Sequence, residues 1–172
     1  GVLMNVIEKR GPSSETYGLL GRIYKDQWDD AKNAGEKLRA RGLIDKAIDA
    51  YLKGFEFDWR DAYPGVNAVT LMELREPPDP RSGKILPVVR YSVERKIARG
   101  KPDYWDYATL LELAVIAMDE EQATAELSRA LAAVREPWEP KTTVRNLRLL
   151  REARAGRGAE KPWMIEIEQA LN

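Results

Sequence analysis

Hydrophobic residues recur along this chain at intervals of three and four, and strict alternation is scarce. That spacing places apolar side chains on one face of a 3.6-residue helix rather than on one face of a strand. The pattern predicts about eight helices. The first spans about Ser14 to Lys32, with Ser13 or Ser14 as N-cap. A charged, glycine-containing stretch, "NAGEKLRARG", follows, and the first hairpin is read as carrying an insertion of more than a dozen residues between its paired helices. That second helix runs from about Leu43 to Asp58, with Leu43, Ala47, Tyr51 and Phe55 four apart. "DWRDAYPG" breaks the pattern, and "YPGVN" reads as a turn that starts a third helix, about Val66 to Arg75.

"EPPDPRSGK" is the strongest loop signal, with three prolines and a glycine. A fourth helix follows, about Ile85 to Arg99, and Pro87 fits best in its first turn. Asp103 caps a fifth helix to about Met118. The sixth covers about Glu120 to Val134, the seventh Lys141 to Ala155, and the last Trp163 to Leu171. "GVLMNVIEKR" is ambiguous between a short strand and the end of an upstream element. Helices joined by short turns with no sheet form antiparallel hairpins. The fold class is therefore all-α: stacked antiparallel helical hairpins in a tetratricopeptide-like right-handed solenoid. Residues 1–172 form a single helical-repeat domain, with 1–12 as a tail or the end of an upstream element and 156–172 as a C-terminal helix.

One detail of the first helix supports repeats. "ETYGLLGRIYKDQW" holds Gly18 and Gly21 in mid-helix, each costing roughly 1 kcal/mol relative to Ala. Tyr17, Leu20, Gly21 and Tyr24, followed by Ala47, Tyr51 and Gly54, give the tetratricopeptide order of aromatic, small and aromatic positions. Small residues at Gly21, Ala47 and Gly54 let two helices approach closely. Tyr107, Leu110 and Ala114, then Ala123, Leu127 and Ala130, repeat the order more loosely, and Pro137 ends that unit.

Composition narrows the chemistry. The 172 residues contain neither Cys nor His. That removes the usual zinc ligands, the Ser-His-Asp and Cys-His triads and the commonest general base. The expectation is no enzyme, no cofactor and no metal. Lys plus Arg and Asp plus Glu are both 28, so net charge is zero, and no basic stripe points to nucleic acid. No apolar run approaches the ~20 residues of a membrane span, so the chain is expected to be soluble and cytoplasmic. Asp29-Asp30 and "DEE" at Asp119 to Glu121 invite a reading as paired catalytic acids. Adjacent residues do not share a helix face, however, and acids at a helix start favour the macrodipole.

"ETYGLLGRIYKDQW", "IDKAIDAYLKGFEFD" and "YPGVNAVTLMEL" together resemble the TRAFs-binding domain, part of the tetratricopeptide-rich central regulatory region of the apoptosis signal-regulating kinases. Microbial proteins carry related domains. The likeness continues through "DYWDYATLLELAVIAMDEEQATAELSRAL" and "EPWEPKTTVRNLRLL", from about Ser14 to Ala155. It implies a non-enzymatic scaffold, with sensor or effector domains attached in a longer chain. No kinase motif is present, and the Ala- and Arg-rich composition looks bacterial, where a TRAF partner is not expected. What carries over is the role of a regulatory interaction module.

In tetratricopeptide folds the first helices of successive repeats line a groove. Arg22 and Lys25, then Asn67 and Thr70, then Glu112 take those positions here. Two cations beside an amide suit a carboxylate or acidic peptide of a protein partner. The plainer reading is solvated side chains, or an i,i+4 pair of Arg22 with Asp26. Five tryptophans, Trp28, Trp59, Trp105, Trp138 and Trp163, fall at or near helix ends, either stapling neighbouring repeats or anchoring an interface. Trp163 is the terminal interface candidate, since a last repeat lacks a covering neighbour. A small phosphorylated-ligand or nucleotide-sensing domain and a self-assembly module remain the alternatives.

Overall fold

The computed structural model describes residues 11–172, all helix and connecting turns, and the "GVLMNVIEKR" segment lies outside them. The eight helices among the described residues are α1 (Ser14–Asn33), α2 (Lys37–Phe57), α3 (Ala62–Leu74), α4 (Ser82–Arg99), α5 (Tyr104–Ile116), α6 (Glu120–Ala132), α7 (Trp138–Gly156) and α8 (Pro162–Leu171). The all-α class is as the periodicity predicts, and consecutive helices pack together as α1 on α2, α2 on α3, α5 on α6 and α7 on α8. The chain divides into two compact units, Gly1–Ser92 and Val93–Asn172.

In the first unit α1 packs along α2, and α3 closes against both. Ile44, Ala47, Ile48, Tyr51 and Phe55 form the buried stripe of α2, and Ala68, Val69, Leu71 and Met72 that of α3. Gly21 lies under the Tyr51 ring: a Cβ there would sit 2.7 Å from ring carbons of a fully buried side chain. At Gly54 a Cβ would meet the Ser14 carbonyl at 3.1 Å and Pro64 at 3.2 Å. Gly18, by contrast, would place a Cβ 3.6 Å from Tyr63, an ordinary contact. Of the two mid-helix glycines, packing demands only Gly21.

Three boundaries correct the sequence reading. No long insertion separates the first pair of helices. Helix α1 ends at Ala34 and Gly35, where Gly35 takes φ +75°, and α2 starts at Lys37 and runs through Gly42. The Glu36 N–H donates to the Ala31 carbonyl at 2.9 Å and the Gly35 N–H to that of Lys32 at 3.1 Å, a Schellman closure. Pro64 and Gly65 do not make a turn before α3. They lie inside its first turns, where Pro64 lacks only an N–H that has no helical partner. Pro87 sits in the second turn of α4 rather than the first, because that helix starts at Ser82.

In the second unit α5 pairs with α6 and α7 with α8, while α5 also packs on α7 and α6 on α8. Helix α5 buries Leu110, Leu111, Leu113, Ala114, Val115 and Ile116, so it is apolar around its circumference and central to its unit. Small residues at Ala108 and Ala130 pack beside the fully buried Tyr104. Tyr104, not Tyr107, is the deeply buried aromatic of this hairpin, and its hydroxyl hydrogen-bonds Thr143 Oγ1 at 2.6 Å. Four buried carboxylates each meet a cation: Asp106 with Lys96 at 2.8 Å, Glu126 with Arg129 at 2.7 Å, Glu139 with Arg135 at 3.0 Å and Glu168 with Arg151 at 2.6 Å.

Candidate functional site

Helices α1 and α3 bring two of the sequence candidates together. Lys25 Nζ donates to Asn67 Oδ1 at 3.4 Å, and Asn67 Nδ2 donates to the Tyr63 carbonyl at 3.0 Å. One helical turn on, Thr70 Oγ1 donates to its own Val66 carbonyl at 2.8 Å, so its proton is occupied within α3. Arg22 is exposed one turn before Lys25 and makes no ion pair among the described residues, Asp26 included. It bears instead on Tyr51: burial and the neighbouring Tyr63 push that phenol up, and Arg22 opposes the rise. This part of the first unit offers one engaged cation and one exposed cation beside an amide.

Glu112 lies in the second unit, half-buried on α5, where it accepts from Asn146 Nδ2 at 3.0 Å. Trp163 opens α8 half-buried and lines a cavity of about 200 Å³ with Thr124, Leu127 and Ile167. Beside it on α8, Ile165 is exposed. Among the other tryptophans, Trp105 and Trp138 have ring centroids 5.9 Å apart, and Lys32 stands 4.7 Å over Trp28. The acidic runs are structural: Asp29 pairs with Lys32 at 3.6 Å, and Asp119 caps α6 by accepting the Gln122 N–H. No group of three or more acids is arranged to hold a metal ion among the described residues. No helix among them is long and apolar enough to cross a membrane.

A larger cavity has no counterpart in the sequence pattern, in which residues 33–42 read as a loop. It measures about 460 Å³ and lies at the α1–α2 turn. Trp28, Ala40, Ile44 and Leu74 form its apolar floor, Leu38 stands at its edge, and Lys32, Lys37, Arg41 and Arg75 surround it. The signal was available in "EKLRAR", a run of strong helix formers that extends α2 backwards. Neither Arg22 nor Lys25 lines this cavity.

These helices match a known family from end to end. The family model of the MAP3K TRAFs-binding domain matches residues 1–169. The chain is also 29% identical over 154 residues, 86% of its length, to mitogen-activated protein kinase kinase kinase nsy-1 of Caenorhabditis elegans. It spans only 10% of that kinase's length. With the helical hairpins and the sequence blocks in agreement, the chain belongs to the MAP3K TRAFs-binding domain family.

Proposed function

We propose that this chain is a non-enzymatic protein–protein interaction and regulatory module of a signalling protein. The observation that carries the proposal is the family match over residues 1–169. The family's description names TRAF proteins as what it binds, and the similar nematode protein is a kinase in a signalling cascade by name. Under this reading a protein or peptide partner docks on the tetratricopeptide-type groove candidates Arg22, Lys25, Asn67 and Thr70 of the first unit; Glu112, the remaining groove candidate, and Trp163, the separate terminal-interface candidate, belong to the second unit. The weak 3.4 Å Lys25–Asn67 contact supports it, since that ammonium exchanges readily to a partner carboxylate. Binding then biases attached sensor or effector domains of a longer cytoplasmic chain.

The test is crosslinked capture from the source cell's lysate, comparing wild type with an Arg22→Glu, Lys25→Glu double variant of unchanged helicity. A protein held by wild type and lost by the variant is the expected result. If neither form retains a specific protein, the groove reading fails, and small phosphorylated ligands become the next probes by thermal shift.

A further inference from the structure

We propose that the cavity at the α1–α2 turn is a second docking site, one that seats an apolar side chain of an acidic peptide segment from a partner protein. This rests on the interaction-module reading and assigns a partner chemistry to a surface away from Arg22 and Lys25. At about 460 Å³ the cavity falls in the size range of dedicated binding sites. Its floor is apolar, from Trp28, Ile44 and Leu74. Leu38, on its edge, is 89% exposed, the highest exposure among the large hydrophobic side chains of the described residues. A leucine so exposed contributes almost nothing to folding, and a bound partner would remove its apolar surface from water.

Charge selects the occupant. Four cations line the cavity against one acid, Glu76. Two of them are already paired, Lys32 with Asp29 and Arg75 with Asp45 at 2.7 Å. Lys37 and Arg41 make no ion pair among the described residues. They stand four apart on α2, so both project from one face of the helix. Two adjacent cations flanking an apolar pocket suit several carboxylates around a bulky side chain. A small amphiphile brings a single anionic head and leaves one of them unmatched.

The probe is a blocked peptide carrying a Leu and a Phe flanked on both sides by Glu-Asp pairs. Its binding is followed by fluorescence anisotropy and by amide shifts in a heteronuclear spectrum of the whole chain. Saturable binding is expected, with shifts at Gly35, Leu38 and Leu74. Affinity should fall as salt rises, because the rim charges are exposed. The Lys37→Glu, Arg41→Glu chain and the Leu38→Ser chain should each bind about tenfold more weakly. All three positions are exposed, so the variants keep the fold.

The proposal is overturned by absence of saturable binding or by equal affinity in the variants. It is also overturned by equal binding of a control peptide with Leu and Phe replaced by Ser, which reduces the effect to charge alone. Decanoate shifting the same amides while the peptide does not would transfer the site to a small amphiphile. The lysate capture separates the two readings. A partner captured equally by wild type and by the Lys37→Glu, Arg41→Glu chain, while the acidic peptide binds neither, overturns the pocket and leaves the module reading standing. Loss of all capture by wild type removes the module reading itself.

Discussion

Gly18 and Gly21 look alike in the sequence, yet their surroundings give them opposite consequences on substitution. Alanine at Gly21 gains roughly 1 kcal/mol of helix propensity. It also drives a Cβ to 2.7 Å from the ring of the fully buried Tyr51, and overpacking of that kind costs about 1–3 kcal/mol. Gly21→Ala is therefore expected to destabilise the chain. Gly18→Ala meets Tyr63 at an ordinary 3.6 Å, and Tyr63 is half exposed. It should be neutral or stabilising by up to about 1 kcal/mol. Urea denaturation of the two variants side by side checks the sign of each. A Gly21→Ala chain as stable as wild type would mean that Tyr51 can move aside.

At the scale of elements, the caps decide where the helices begin and end. Ser13 caps α1: its Oγ accepts the Thr16 N–H at 3.0 Å, and Thr16 Oγ1 accepts the Ser13 N–H at 3.0 Å. Ser13→Ala should cost about 1 kcal/mol, read as a lower midpoint in thermal unfolding by circular dichroism. An unchanged midpoint would show that α1 is held by packing on α2 alone. Asp103 and Asp106 form the corresponding box at α5. These starts were legible because Ser and Asp before an apolar-periodic run carry a local mechanism. The α1–α2 junction is not legible in the same way, because glycine and charge in "NAGEKLRARG" carry the local signature of a loop. Only Gly35 interrupts the helices there, while Gly42 stays inside α2, where a Cβ would meet nothing within 4 Å.

At the scale of the molecule, pH reports the buried acids. Burial pushes the Asp106 carboxyl up, but the Lys96 ammonium and the Asp103 N–H outweigh it and hold it below the usual carboxylate value. Hydrogen bonds from Arg81 hold Asp79 low in the same way, against burial. For Glu139 burial again acts upward, and the Arg135 and Glu136 N–H groups with the Arg135 guanidinium prevail. A carboxyl lowered in the folded state is protonated first in the unfolded chain. Its stabilisation is complete above the ordinary carboxylate pKa of about 4 and is lost as pH falls through the folded value. With no histidine in the chain, urea stability should be nearly flat from pH 8 to 5 and fall below that. Asp106→Asn should lower stability at pH 7 and flatten the acid slope. An unchanged slope would show that Asp106 is not among the groups that titrate on unfolding.

Local chemistry determined the helical class, the number of helices among the described residues and most of their starts, since periodicity and caps act between residues a few positions apart. The family blocks were legible for the same reason: they are short ordered runs of the chain. The three-dimensional structure alone decided which glycine was indispensable, because that depends on a ring thirty residues away in the sequence. It alone engaged Thr70 within its own helix and Glu112 with Asn146, and placed Tyr104 rather than Tyr107 in the core. It alone assembled the cavity at the α1–α2 turn. That cavity draws on residues 28 to 76, and a linear pattern carries no information about which helix ends meet in space.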